Sequence, residues 1–161
     1  MNQFSEQDRK FMQIAFKLAQ RAEQKGEVPI GAVVVDGDGF VIAKASNTRE
    51  TLNTVLGHAE LLAIHRACKK KNSWRLVDCT LYVTLEPCFM CAGALVQARI
   101  KRVVFATHDP KGGAMGSLDN LSTHEKLNHR FIAESGLMQN ECSHLLKNFF
   151  KKRRKKSCPS I

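Results

Sequence analysis

Two cysteines, Cys88 and Cys91, lie three residues apart directly after Pro87, and this spacing constrains the fold more than any other feature of the sequence. Residues i and i+3 share one face of a helix, and proline suits a helix's first turn because its missing N–H is not needed there. The helix dipole favours thiolates at that end, so both sulfurs should ionise readily and bind a soft cation. A catalytic zinc site has three protein ligands and one open position for water. His58 is the natural third ligand, so the sequence predicts one zinc ion per subunit.

Glu60 indicates what such a site would do. His58 and Glu60 are two positions apart, and such positions on a helix point about 200° away from each other. They can converge only if the first turn of their helix points end-on at the metal. Glu60 would then carry protons to and from the water in the open position. The pattern H-x-E followed by P-C-x-x-C is the signature of zinc-dependent deaminases.

A closed structural zinc site is the main alternative, with His65 or Cys79 as a fourth protein ligand. A lone C-x-x-C also occurs in structural zinc sites and in redox pairs, so it is weak evidence by itself. A closed site would leave Glu60 without a role. We therefore favour the catalytic interpretation.

The net charge of +10 points to a polyanionic partner. Six of the positive charges fall in the run 151–156, which leaves about +4 for the rest of the chain. We interpret the run as part of an RNA-binding surface. A solvated helix end, whose cations complement the dipole, and a localisation-type basic cluster remain alternatives.

The length of 161 residues suits one domain, spanning residues 1–161, that can bury a real core. No apolar run approaches the roughly 18 residues of a membrane span, and the N-terminus lacks signal-peptide character. Six cysteines, two of them assigned to metal, are not a disulfide framework in a chain of this size. We therefore expect no membrane association and a reducing, cytoplasmic location.

Hydrophobic periodicity and turn signals predict an α/β fold. The predicted helices span 5–25, 58–70, 88–98 and a basic helix and tail at about 137–161; the predicted strands span 28–35, 40–46, 78–84, 101–106 and 130–134. A hairpin followed by alternating helices and strands implies parallel neighbours joined by right-handed crossovers. The fold should be a three-layer α/β/α sandwich with a mixed five-stranded sheet. The carboxyl ends of its parallel strands should carry the ligand site.

Residues 107–129 form a long, Gly-rich connection, and loops of this length are often functional. An ordinary disordered excursion is the alternative. Polar side chains in and after this loop are compatible with RNA binding: His108, Asp109, Lys111, His124, Asn128, His129 and Arg130. Two further polar residues flank the zinc motifs. Asn47 follows the second strand and is either a substrate contact or a turn residue, and Glu86 is interpreted as fixing the turn before Pro87.

In this order, the segments EVPIGA (27–32), GHAE (57–60), LYVTLEPCFMCAGA (81–94), DPKGGAMGS (109–117), NHR (128–130) and FF (149–150) resemble those of bacterial tRNA-specific adenosine deaminases. This family belongs to the cytidine-deaminase-like superfamily. The H-A-E and P-C-x-x-C motifs mark the superfamily, whereas the Gly-rich loop, the N-H-R triplet and the basic final helix point to the tRNA branch. The sequence departs from the family's pattern at Gly57, Pro110 and Gly113.

The resemblance implies conversion of adenosine to inosine at the wobble position of an arginine tRNA anticodon. It implies zinc ligation by His58, Cys88 and Cys91, with Glu60 as the proton shuttle. Asn47 would hydrogen-bond the flipped base, and Val28, Pro29 and Ala59 would line its pocket. The anticodon stem-loop would be held by Asp109, Lys111, His124, Asn128, Arg153 and Arg154. The resemblance also implies a homodimer in which both subunits contribute to the RNA site.

Two other functions are compatible with parts of the sequence. A small-molecule deaminase of free cytosine, guanine or a nucleoside would share the zinc site but would have no evident use for the basic tail. A non-catalytic RNA-binding module would keep the charge, yet it would not need Glu60.

Overall fold

A five-stranded sheet lies at the centre of the computed structural model, which describes residues 3–157. Its strands are β1 (Gly31–Val35), β2 (Val41–Ser46), β3 (Thr80–Leu85), β4 (Arg102–Thr107) and β5 (Ile132–Ser135). The helices of this part of the chain are α1 (Glu6–Gln24), α2 (Arg49–Leu52), α3 (Ala59–Lys71), α4 (Phe89–Gln97) and α5 (Gln139–Ser157). Residues 158–161 of the predicted basic tail lie outside the described residues. None of the helices within 3–157 is at once long and apolar enough to cross a bilayer.

The strands are arranged in the order β2-β1-β3-β4-β5. Strand β1 is antiparallel to both of its neighbours, whereas β3, β4 and β5 are parallel. The predicted mixed five-stranded sheet is therefore confirmed. Because β2, β3 and β4 all run in one direction, their carboxyl ends lie at the same edge of the sheet.

Strand β1 is buried on both faces, as its continuous apolar sequence indicated. Successive side chains of a strand point to opposite faces. Ala32 and Val34 pack into a core shared with α3 and α4, whereas Val33 and Val35 pack into a core shared with α1 and α5. Helices thus cover both faces of the sheet, which confirms the predicted three-layer α/β/α sandwich.

The N-terminus of α1 is joined to the sheet by a charged network. Ser5 and Asp8 form a full capping box, in which each side chain accepts from the other residue's backbone N–H. The Asp8 carboxylate also accepts from the Tyr82 hydroxyl at 2.6 Å and from Arg102 Nη1 at 2.7 Å. Arg102 Nε donates to Glu134 at 2.6 Å. This network connects α1 to β3, β4 and β5.

We expect the stability contributed by Asp8 to disappear in acid. Burial alone would raise the pKa of this carboxyl, but the hydrogen bonds from Arg102 and Tyr82 outweigh burial and hold the pKa below its usual value. The unfolded chain therefore takes up the proton first as the pH falls. The contribution of Asp8 is complete above its unfolded pKa of about 3.9 and is lost as the pH falls through the folded-state pKa.

Asp8→Asn should lower the free energy of unfolding by about 2 kcal/mol at pH 7, because it removes a charged hydrogen-bond acceptor from Arg102. Urea unfolding of both zinc-loaded proteins at pH 7, 4 and 3 should show this difference shrinking below pH 4. Asp38→Asn, at an exposed position in the β1–β2 turn, provides the control. An Asp8→Asn difference that stays constant over this range would contradict the assignment.

The first strand begins later than predicted. Residues 28–30 leave the sheet in a tight turn, in which Ile30 N donates to Val28 O at 2.8 Å. Helix α1 lies directly against the strand's first residue, since a Cβ at Gly31 would lie 2.0 Å from Ala15 O. The turn frees Val28 from the strand and lets it reach the site described below.

The short helix α2 was not predicted. The buried Glu27 carboxylate accepts from the backbone N–H groups of Glu50 at 3.2 Å and Thr51 at 2.6 Å. A helix of four residues is too short to be stable through its own propensity. A carboxylate more than twenty residues away in sequence thus stabilises α2.

Candidate metal centre and catalytic cavity

His58 and Cys88 occupy equivalent positions, as the N-cap residues of α3 and α4. Both have an extended backbone, and neither side chain hydrogen-bonds back onto its helix. Their side chains are therefore available to bind a ligand or a metal ion instead of the helix backbone. The two helices begin after β2 and β3, at the edge of the sheet where the sequence placed the ligand site.

The three predicted metal ligands come together. His58 Nδ1 lies 3.4 Å from Cys91 Sγ and 3.7 Å from Cys88 Sγ, and the three ligand atoms lie within 4.8 Å of one another. A tetrahedral zinc ion, with bonds of about 2.0–2.3 Å, holds such atoms about 3.5–3.8 Å apart. The residues therefore fit zinc. Within residues 3–157 this cluster does not include His65 or Cys79, the fourth ligands that a closed site would need.

The two sulfurs differ in their ionisation. A hydrogen bond from the Cys91 thiol, together with nearby His58, lowers the pKa of Cys88 to about 4 despite its partial burial. The same hydrogen bond to Cys88 and burial raise the pKa of Cys91. Cys91 is therefore the protonated partner, and its thiol donates a hydrogen bond to the Cys88 thiolate. A divalent cation would favour ionisation of both, because two thiolates balance its charge.

Glu60 lies on the first turn of α3, next to the three ligands. It is buried, and within residues 3–157 its Oε2 atom has no hydrogen-bond partner. Burial raises the pKa of this carboxyl to about 7. Glu60 and His58 line the same cavity at the N-terminus of α3. This is the arrangement expected if the first turn of the helix points toward the metal. A carboxylate with one free oxygen at a cavity can accept a proton and return it.

We call the space beside these residues the catalytic cavity; its volume is about 260 Å³. It is lined by the predicted site residues Val28, Asn47, His58, Glu60, Cys88, Asp109 and Arg153, and also by Ile30, Arg49, Leu85, Glu86 and Phe150. Cys91 is buried behind this lining.

A second, larger space adjoins the catalytic cavity, and we call it the outer groove. Its volume is about 660 Å³. It is lined by the predicted residues Val28, Asp109, Lys111 and Arg154, together with side chains of β3, β4 and α5 and residues 108–111. Val28, Leu85, Asp109 and Phe150 line both spaces. The two spaces together offer a small deep site for one planar group and a wider, basic approach to it.

Asn47 is buried at the end of β2 and is held by the backbone on two sides. Its Nδ2 atom donates to Val28 O at 3.3 Å, and its Oδ1 atom accepts from Arg49 N at 3.2 Å. These bonds fix the amide at the wall of the catalytic cavity. An amide carries two donor hydrogens and can accept twice, so it retains capacity for a ligand.

Four predicted binding residues are not brought into either space. Pro29 and Ala59 do not line the catalytic cavity, and Ala59 is fully buried. The Asn128 side chain accepts from Arg99 Nη1 at 2.9 Å, near the amino end of β4 and so at the opposite edge of the sheet. His124 Nδ1 accepts from Lys126 N at 3.3 Å within the long loop.

Arg49, Ile30 and Phe150 line the catalytic cavity, although sequence reasoning did not assign them to it. A signal existed for Phe150: adjacent helical residues point about 100° apart, so Phe149 and Phe150 cannot both enter the core. Phe149 is buried, and Phe150 is 41% exposed at the cavity. Arg49 depends on the placement of α2, for which no local signal was present.

Comparisons with known proteins give matches over nearly the whole chain. The family model described as MafB19-like deaminase matches residues 5–154. A tRNA-specific adenosine deaminase of Bacillus subtilis is 52% identical over 150 residues, covering 93% of this chain and 92% of the relative. A solved chain from studies of A-to-I editing by tRNA:A34 deaminases at the wobble position of transfer RNA is 43% identical, with a TM-score of 0.82, and the match covers 85% of this chain and 99% of that one. A guanine deaminase from Bacillus subtilis is 32% identical, with a TM-score of 0.61, and the match covers 100% of this chain and 98% of that one.

Proposed function

Since this chain belongs to the family of tRNA-specific adenosine deaminases, we propose that it converts adenosine to inosine at the wobble position of a tRNA anticodon. The proposed substrate is an arginine tRNA. The reaction adds water at C6 of adenine and releases ammonia. The observation that carries the proposal is the buried Glu60 Oε2 atom, which has no hydrogen-bond partner among residues 3–157 and lies beside the His58, Cys88 and Cys91 cluster.

The chain's own residues have distinct tasks in this reaction. His58, Cys88 and Cys91 would hold zinc, which when bound supplies the Lewis acidity that activates water at neutral pH. Glu60 takes one proton from the attacking water and delivers it to the adenine ring nitrogen N1. It then takes the remaining proton from the hydroxyl group on C6 and delivers it to the departing amine, which leaves as ammonia. Its burial keeps bulk water away from this transfer.

Recognition of the base belongs to the catalytic cavity. Asn47, fixed by Val28 O and Arg49 N, hydrogen-bonds the edge of the adenine, while Val28 and Ile30 contact its face. An anticodon loop presents bases that are already free to leave the stack, which lowers the energetic cost of flipping one of them. Lys111 and Arg154 at the outer groove and Arg153 at the catalytic cavity then contact the flanking phosphates.

The basic run at the end of α5 contributes salt-dependent RNA affinity. Its side chains are exposed, and Arg153 already lies at the catalytic cavity. Replacing Lys151, Lys155 and Lys156 together by glutamine should weaken stem-loop binding. The dependence of log K on log salt should flatten by about 0.7 for each phosphate that these lysines no longer neutralise. Filter-binding measurements between 50 and 200 mM salt provide the readout.

Lys69, Lys70 and Lys101 provide the matched control, because they are exposed at the opposite edge of the sheet and the triple glutamine variant removes the same charge. An equal change in both triple variants would mean that only net charge matters. An unchanged slope in the α5 variant would mean that these lysines do not neutralise RNA phosphates.

We also propose that the protein is a cytoplasmic homodimer in which both subunits contribute to the RNA site. Exposed apolar side chains support an interface near the metal centre, because they lie on segments adjoining His58 and Cys88 and on the long loop: Leu52, Val55, Leu56, Phe89, Met90 and Leu118. Large exposed apolar side chains favour association between subunits when they form one patch. Light scattering after gel filtration tests whether the protein is a dimer. Val55→Asp and Phe89→Asp are each expected to give monomers.

The function is tested by incubating the zinc-loaded protein with an arginine anticodon stem-loop that carries a wobble adenosine. Free adenosine, cytosine, cytidine and guanine serve as competing substrates. Inosine formed only in the RNA would establish the proposed reaction. Deamination of a free base or nucleoside alone would move the protein to the small-molecule deaminases and leave the basic helix unexplained.

A further inference from the structure

Glu86 is a buried carboxylate to which the reaction above gives no role. Its side chain has no exposed surface, and it precedes Pro87 and Cys88 in the chain. Its sequence position suggested that it fixes the turn before Pro87. In the structure, the carboxylate instead binds the Gly-rich loop, which we define as residues 108–117.

Donors from this loop surround the Glu86 carboxylate. Oε1 accepts from the backbone N–H groups of Met115 at 2.9 Å and Ser117 at 3.0 Å. Oε2 accepts from the Asp109 N–H at 2.9 Å and from the Ser117 hydroxyl, and it lies 3.1 Å from His108 Nδ1. Both oxygens are therefore fully engaged by one ten-residue segment.

Backbone N–H groups that converge on an anion are the means by which Gly-rich loops bind phosphate. In this protein the anion is the chain's own carboxylate. Gly113 permits the close approach, because a Cβ at that position would lie 2.3 Å from the carboxylate carbon of Glu86. The N–H groups of Asp109, Met115 and Ser117 are thus already occupied. These three groups are therefore not available to an RNA phosphate, whereas the side chains of Asp109 and Lys111 line the outer groove.

The same loop is attached to the segment that carries a metal ligand. Ala114 N donates to Pro87 O at 2.9 Å, and Gly113 pairs with Cys88 in an antiparallel bridge. Glu86 therefore lies between two parts of the site. Its backbone leads directly into α4, and its side chain determines the shape of the loop that lines the outer groove.

We propose that Glu86 is a positioning residue, the internal anion around which the Gly-rich loop folds and which sets Asp109 and Lys111 relative to the catalytic cavity. The expected effect of Glu86 on RNA binding rests on the proposed function, whereas its expected effect on the conformation of the Gly-rich loop does not. The carboxylate acts on substrate binding, through the loop, and leaves the proton transfer to Glu60.

Glu86→Ala tests the proposal, because acetate has the same atoms as the group that this substitution removes. We expect the KM for the anticodon stem-loop to rise by about tenfold or more, equivalent to at least 1.4 kcal/mol, while kcat changes less and zinc stays at one per chain. Hydrogen–deuterium exchange of residues 108–117 should become faster. Added acetate should lower the KM and slow the exchange, whereas chloride at the same ionic strength should do neither.

Two further variants keep the test decisive. Ser117→Ala removes one donor and keeps the carboxylate, so it should show a smaller change in the same direction even if Glu86→Ala does not fold. Asp38→Ala removes an exposed carboxylate from the β1–β2 turn and should change neither KM nor loop exchange.

Unchanged KM and unchanged loop exchange in Glu86→Ala would overturn the proposal. Loss of zinc together with activity, without rescue by acetate, would also overturn it, since Glu86 would then support the metal helix rather than the loop. A wild-type protein inactive on the stem-loop would reject the proposed function instead. In that case the exchange of residues 108–117, with and without acetate, would still decide the role of Glu86.

Discussion

Glu60→Ala should bind zinc normally and yet turn over RNA between about 100-fold and 10,000-fold more slowly, the usual range for loss of a general acid–base group. Glu60 is not one of the three clustered residues; it lines the catalytic cavity, and its Oε2 atom has no hydrogen-bond partner in the described part of the chain. Its removal should therefore affect proton transfer and leave metal retention intact. Single-turnover deamination of the wobble adenosine, with zinc content measured by atomic absorption, gives both quantities.

Two companion variants sharpen this experiment. Glu60→Gln keeps the shape and removes the acid–base function, so it should lose turnover to a similar degree. Glu6→Ala, an exposed position on the first turn of α1, should retain full activity. Full activity in Glu60→Ala would contradict the assigned role, and loss of zinc in the same variant would make the carboxylate a support of the metal site.

Cys88→Ala should lose both zinc and all measurable deamination. The substitution leaves two ligands of a site that needs three, and it removes the sulfur with the lowered pKa. We expect less than about one zinc ion per ten chains after dialysis, and no recovery of activity on adding zinc. Chelator-treated wild-type protein, by contrast, should regain activity with zinc.

Cys68→Ala is the matched control for this loss. Cys68 is a half-buried thiol on α3 whose Sγ lies 3.6 Å from Trp74 O, outside the ligand cluster. It should keep one zinc ion and normal turnover. Zinc retention by Cys88→Ala would show that the cluster is not the metal centre.

The cluster of His58, Cys88 and Cys91 was predictable because local spacing determines it. Cysteines three residues apart on one helix necessarily share a face, and a histidine at the start of the neighbouring helix lies at the same edge of the sheet. The sheet was predictable for a related reason. The apolar run of β1 could be satisfied only by burial on both sides, which requires three layers.

The remainder of the site depends on contacts between distant parts of the chain. Arg49 reaches the catalytic cavity only because Glu27 stabilises α2. Asn128 remains a predicted RNA contact, and the structure places it near the amino end of β4, where Arg99 donates to its side chain. Arg99 itself adopts a left-handed backbone, with φ of 58°, just after α4. No periodicity or motif in the sequence indicates that Glu27 contacts α2 or that Arg99 contacts Asn128.

The positions of His58 and Cys88 also set a limit on the stability of this protein. Serine, threonine, aspartate and asparagine are the residues that best stabilise a helix N-terminus, by about 1 kcal/mol relative to alanine. Here both N-cap positions are filled by side chains that leave the helix N–H groups uncapped and turn toward one another. Optimising α3 and α4 for stability would therefore begin with substitutions at two of the three proposed zinc ligands. If both residues bind zinc as proposed, a better helix cap at either position would cost activity, so stabilising substitutions are better sought elsewhere in the fold.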